Sequence, residues 1–160
     1  FFLLYSADTH MNFDLGLAEE QSEKNPVFSI QYAHARMASI LRKAEEQGIA
    51  SGNQEAIQLV HPKEILLARQ VARFPDMIAS IAGDFAVHRL PQYALRLADT
   101  FHSFYDACRV IDPEDDRATT SRLVLVRATK TVLGETLRLL GVSAPERMEG
   151  KNEGKVKDSP

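Results

Sequence analysis

Aromatic and cationic side chains recur between residues 28 and 43 with a spacing suited to nucleic-acid contact. At about 100° per residue, Phe28, Tyr32, Arg36, Ser39 and Lys43 share one stripe of a helix. Rings that stack on bases, beside cations that meet phosphates, suit a splayed single-stranded RNA loop. The same spacing also allows Tyr32 to be a core residue of a long helix covered on two sides. A second stripe holds Arg127, Lys130 and Arg138, within roughly 80° of one another on a helical wheel. Gly134 sits among them and would let a phosphate backbone approach closely, while a solvated face is the plain alternative. Other chemistries lack their residues. His10, His34, His61, His88 and His102 never stand three to five residues apart, and Cys108 is the one cysteine, so zinc-ligand spacing is absent. His34 reads as a hydrogen-bonded helix residue. Asp112, Glu114, Asp115 and Asp116 lack the glycine and closing glutamate of a calcium loop and read as a solvated linker. With no glycine-rich phosphate loop and no nucleophile elbow, the residues offer no catalytic constellation and no cofactor site.

Proline and glycine set the elements that must carry these stripes. Pro26, Pro62, Pro75 and Pro91 each suit the first position of a helix, where the missing N–H would have no intrahelical partner. The pattern predicts helices over 26–47, 62–74, 75–89, 91–109 and 119–140, with Asn25 as a cap and Gly48 and Gly141 as stops. Ile30, Ala33, Met37, Ile40, Leu41 and Ala44 form the core stripe of the first helix. Ala94, Leu97, Ala98, Phe101, Phe104 and Cys108 do so on the fourth, with Tyr105 towards one edge. On the fifth, Leu125, Val126, Ala128, Val132, Leu133, Leu137, Leu139 and Leu140 are expected inside. Arg122, Thr129, Glu135 and Thr136 interrupt that surface. No segment alternates with period two for long enough to suggest a strand. The expected fold is all-α, a bundle of about five helices. Residues 1–24 are expected to be a linker, 25–148 the helical domain and 149–160 a disordered tail.

The 160 residues suffice for one domain with a hydrophobic core, and 44% hydrophobic with 26% charged is ordinary for a globular chain. The longest apolar runs are only a few residues, which excludes a membrane span. A lone cysteine fits a reducing, cytoplasmic compartment. The start at Phe1, without methionine and inside an apolar run, reads as a piece of a longer protein. A net charge of −3 at first argues against nucleic acid. Its distribution argues the other way: residues 25–44 carry +3 and 119–141 carry +3, whereas 1–24 carry −4 and 112–118 carry −3. Positive charge thus gathers on two helices.

Residues 25–36 read NPVFSIQYAHAR, followed by Ser39, Ile40 and Arg42. This resembles the signature of arginyl-tRNA synthetases at the entry to their anticodon-binding domain. Residues 1–18, FFLLYSADTHMNFDLGLA, are similar to the family's segment before that helix. YALRLADTFHSFYDACRVI (93–111) and SRLVLVRATKTVLGETLRLLGVSAPERM (121–148) resemble its last two long helices and its ending. The resemblance covers residues 1–148 and implies a class I aminoacyl-tRNA synthetase that joins arginine to its tRNA. The family's HIGH-like and KMSKS-like motifs do not occur in this sequence, so the resemblance places ATP, magnesium and catalysis outside this chain. What remains matches a DALR-type anticodon-binding domain. Its expected partner is the anticodon loop of arginine tRNA, with no DNA or membrane partner and a monomeric state.

By the same resemblance Tyr32 and Tyr105 match aromatic positions that contact anticodon-loop bases, and Met148 matches the family's end, which approaches that loop. Tyr32, Arg36, Tyr105, Arg127, Lys130, Arg138 and Met148 are therefore the expected tRNA-binding residues. Ser29 stands where bacterial relatives commonly carry a second aromatic, and residues 149–160 extend past the usual terminus. A stand-alone helical module that docks an acidic protein partner or RNA is the competing expectation.

Overall fold

The computed structural model describes residue 1, residue 16 and residues 24–49 and 57–148. Almost all of the expected linker, His10 and the expected tail over 149–160 lie outside the described residues. Among those described, every element is an α-helix: α1 (Pro26–Glu46), α2 (Pro62–Ala72), α3 (Phe74–Asp84), α4 (Arg89–Ala107) and α5 (Asp116–Leu139).

The ends of these helices follow from local chemistry. Asn25 caps α1, its Oδ1 accepting from the Val27 N–H at 3.0 Å. Gly48, at φ +69°, closes α1. There Gly48 N–H donates to Glu45 O at 2.9 Å and Ile49 N–H to Ala44 O at 2.9 Å. Gly141 closes α5 in the same way, with Val142 N–H donating to Leu137 O at 2.9 Å. At α2, His61 accepts from Lys63 N–H at 3.2 Å while Glu64 reaches back to the His61 N–H at 2.9 Å.

Several expected boundaries move, three of them for a visible local reason. Asp115 accepts from Ala118 N–H at 2.8 Å, so α5 begins at Asp116 rather than at 119. The third helix ends at Asp84, not at 89, because Asp84 accepts from Ala86 N–H at 3.1 Å and Phe85 turns left-handed at φ 57°. α4 then starts at Arg89, which leaves Pro91 inside its first turn, where an N–H has no partner to lose.

α4 is the central pillar, packed against α1, α2 and α5, while α1 and α2 also rest on α5. Phe101, Phe104, Leu97, Ile30, Met37, Leu67, Leu133 and Leu137 are fully buried, each stabilising the bundle by about 1.5–3 kcal/mol. α3 follows α2 after the single residue Arg73, leans chiefly on α2 and buries only Ile81. The polar interruptions of α5 are absorbed. Thr129 and Thr136 are buried and donate to the carbonyls of Leu125 and Val132, both at 2.7 Å. Arg122 donates to buried Glu64 at 2.7 Å and to the Arg109 carbonyl at 2.8 Å. The buried sector of α5 is rotated from expectation: Leu123, which a helical wheel sets between Lys130 and Arg127, is buried, and Leu139, expected inside, is exposed. Gly134, in the same sector as Leu123, lies against His34 of α1, whereas Leu139 is the last helical residue.

Candidate nucleic-acid interface

α1 and α4 meet at a cluster of rings bridged by one cation. Arg36 lies with its guanidinium carbon 4.9 Å from the Tyr105 ring centre and 5.9 Å from that of Tyr32. It also donates to the Tyr32 hydroxyl at 3.2 Å. Helical spacing sets Tyr32 four residues before Arg36, one turn away. Phe28, another turn back, stacks on Tyr32 with ring centres 6.3 Å apart and planes 13° from parallel. On α4, Tyr105 stacks on core Phe101 at 6.0 Å. Tyr32, Arg36 and Tyr105 are all half-buried, neither core nor free surface. A groove of about 590 Å³ continues from Tyr105 past Lys43, Gln47, Asp106 and residues 107–111.

The other expected residues gather along α5, and most already have partners. Lys130 pairs with Glu146 at 2.7 Å, and Arg138 with Glu135 at 2.8 Å. Arg127 is exposed. The Glu146 carboxyl is held below its ordinary value first by the Lys130 hydrogen bond and then, against slight burial, by the charges of Lys130, His34 and Arg42. Gly134 does not leave space for a phosphate. A Cβ there would sit 3.3 Å from His34 Nε2, so this glycine admits the histidine ring of α1. His34 itself is buried, with Nδ1 2.9 Å from the Pro145 carbonyl oxygen, as a hydrogen-bonded helix residue should be. Met148, half-buried, is the last described residue. Gln31, Arg42 and Arg147, which border the same surface, were not singled out from sequence as contacts. The run of residue types 31, 34 and 42 on one side of α1 was the available signal.

A protein-family model described as the DALR anticodon binding domain matches residues 30–148, well over half of the chain. The chain belongs to this family. The chain is 50% identical over 151 residues to the arginine–tRNA ligase of Symbiobacterium thermophilum, covering 92% of this chain and 27% of that protein. It is 46% identical over 149 residues to that of Bacillus licheniformis, again covering 92% and 27%. The chain thus spans about a quarter of the length of the curated relatives it matches. Among solved structures, the arginyl-tRNA synthetase of Plasmodium falciparum superposes with a TM-score of 0.75 at 27% identity, over 92% of this chain and 26% of that one. That of Thermus thermophilus gives 0.64 at 32% identity, over 82% and 22%. Every expected tRNA-binding residue of the DALR domain, from Tyr32 to Met148, falls within the family match. Phe28, which extends the ring stack, lies just before it.

Proposed function

We propose that this DALR domain holds the anticodon arm of arginine tRNA as part of an arginine–tRNA ligase. Tyr32 and Tyr105 offer the exposed parts of their rings to unstacked bases, and Arg36 keeps the two rings in register. The observation that carries this reading is that bridge: one guanidinium packed against tyrosines from two different helices, beside a groove of about 590 Å³. Arg127 and Arg138 flank the face as phosphate contacts, which set position while base contacts set identity. Binding here orients the acceptor end for a reaction at residues outside this chain, where ATP and magnesium act.

The test is binding of the 160-residue chain to an arginine-tRNA anticodon hairpin and to an unrelated hairpin. Tyr105→Ala should weaken cognate binding by about 1–3 kcal/mol and narrow the gap between the hairpins. Because Tyr105 rests on Phe101, thermal melting accompanies the titration. Equal affinity of the unmodified chain for both hairpins would sink the reading and leave an acidic protein as the better partner.

A further inference from the structure

Beyond the Gly141 turn, residues 142–148 run back along α5 as a strap over the seam between α1 and α5. Gln31 Nε2 donates to the Ser143 carbonyl and hydroxyl, both at 2.9 Å. Two residues on, the Pro145 carbonyl meets His34 Nδ1 at 2.9 Å. One residue further, Glu146 meets Lys130 at 2.7 Å. A carbonyl only accepts, so Nδ1 bears the proton. Nε2 faces Gly134, the residue whose missing side chain admits the ring. Lys130 precedes Leu139 by nine residues, about 14 Å back along the helix at about 1.5 Å per residue. The strap therefore heads towards the Arg127 end of the cationic stripe. Arg42 of α1, whose charge acts on Glu146, lies on the same side. Gln31 and Arg42 are each about 60° around α1 from Phe28 and Ser39, the edge of the aromatic stripe. The strap thus lies on the α5 flank of α1, and the ring cluster on its α4 flank. The residue after Glu146 is Arg147, exposed and without an ion pair among the described residues.

We propose that the strap places Arg147 as a further phosphate contact near the Arg127 end of the α5 stripe, and that His34 is the positioning residue that sets its register. This rests on the anticodon-arm reading above. Glu146 neutralises Lys130, so the strap exchanges a cation of the stripe for one carried two residues past the His34 anchor. His34 touches no RNA and acts only through the Pro145 carbonyl.

The experiment measures hairpin affinity over a salt series for the 160-residue chain and three variants, with melting curves and trypsin cleavage after Arg147 alongside. Arg147→Gln should weaken cognate and unrelated hairpins equally and make the slope of log affinity against log salt shallower by about 0.7–0.9. His34→Gln places its amide nitrogen near the Nε2 position and leaves Pro145 unbound. It should reproduce that loss of slope without removing a cation, and speed cleavage after Arg147. His34→Asn, whose amide nitrogen falls near Nδ1, should restore both. Should the histidine variants melt early, Gln31→Ala at its half-buried site frees Ser143 and makes the same test. An unchanged slope in Arg147→Gln overturns the proposal, as does identical behaviour of the Gln and Asn variants. A chain that binds no hairpin fails the anticodon-arm reading itself, and this inference with it.

Discussion

Arg36 makes two ring contacts of which a helical wheel shows one. Its place one turn after Tyr32 was legible in the spacing of α1, and the QYAHAR resemblance singled out the same residues. That its guanidinium also lies against Tyr105 follows from how α1 and α4 cross, which no spacing within either helix encodes. Glu64 was less legible still. It reads as an ordinary first-turn carboxylate, yet it is 3% exposed and joins α2 to α5. Burial alone would raise its carboxyl. The Arg122 hydrogen bond, the His61 and Val60 N–H groups and the Arg122 charge outweigh that and hold it below 4.5. The stability it contributes is therefore present above the unfolded value of 4.5 and is lost as pH falls through the lower folded value. Glu64→Ala should cost about 3–5 kcal/mol at pH 7, since it strands Arg122 with its partner gone. Its melting temperature should also depend less on pH between 5 and 3 than that of the unmodified chain. Parallel melts across that range check both, and a variant as acid-sensitive as its parent would contradict the pairing.

At the scale of elements, the proline and glycine punctuation located all five described helices. Their ends shifted wherever a side chain competed for backbone groups: Asp115 lengthened α5, and Asp84 shortened α3. The rotation of α5 was harder to read. Its apolar residues cover most of the circumference, so only the packing of the neighbouring helices decides that Leu123 goes in and Leu139 out. Phe85 has no sequence cue at all. A phenylalanine 82% exposed, in a left-handed conformation, ends α3 where glycine would be expected. Phe85→Gly should relieve about 1–2 kcal/mol of steric cost. Against this stands about 0.4–1 kcal/mol of added freedom in the unfolded chain. A net gain near 0.5–1 kcal/mol is expected in urea titration, and a loss of stability would show that the Phe85 ring has a partner.

For the whole molecule, a net charge of −3 conceals local positive charge, because residues 25–44 and 119–141 each carry +3 while 1–24 and 112–118 carry −4 and −3. The helices are also unequally anchored. α4 touches three neighbours and is buried along its length, whereas α3 leans chiefly on α2 through Ile81. Amide protons should therefore leave the two helices by different routes. Those of α3 should exchange with deuterium through a partial opening well below the global unfolding free energy. Those around Leu97 and Phe101 should exchange only when the whole bundle comes apart. Native-state exchange followed in rising denaturant would separate the two classes, and equal protection at Ile81 and Leu97 would refute the division. If it holds, the bundle can shed α3 and re-form it many times over while Tyr32, Arg36 and Tyr105 keep their places.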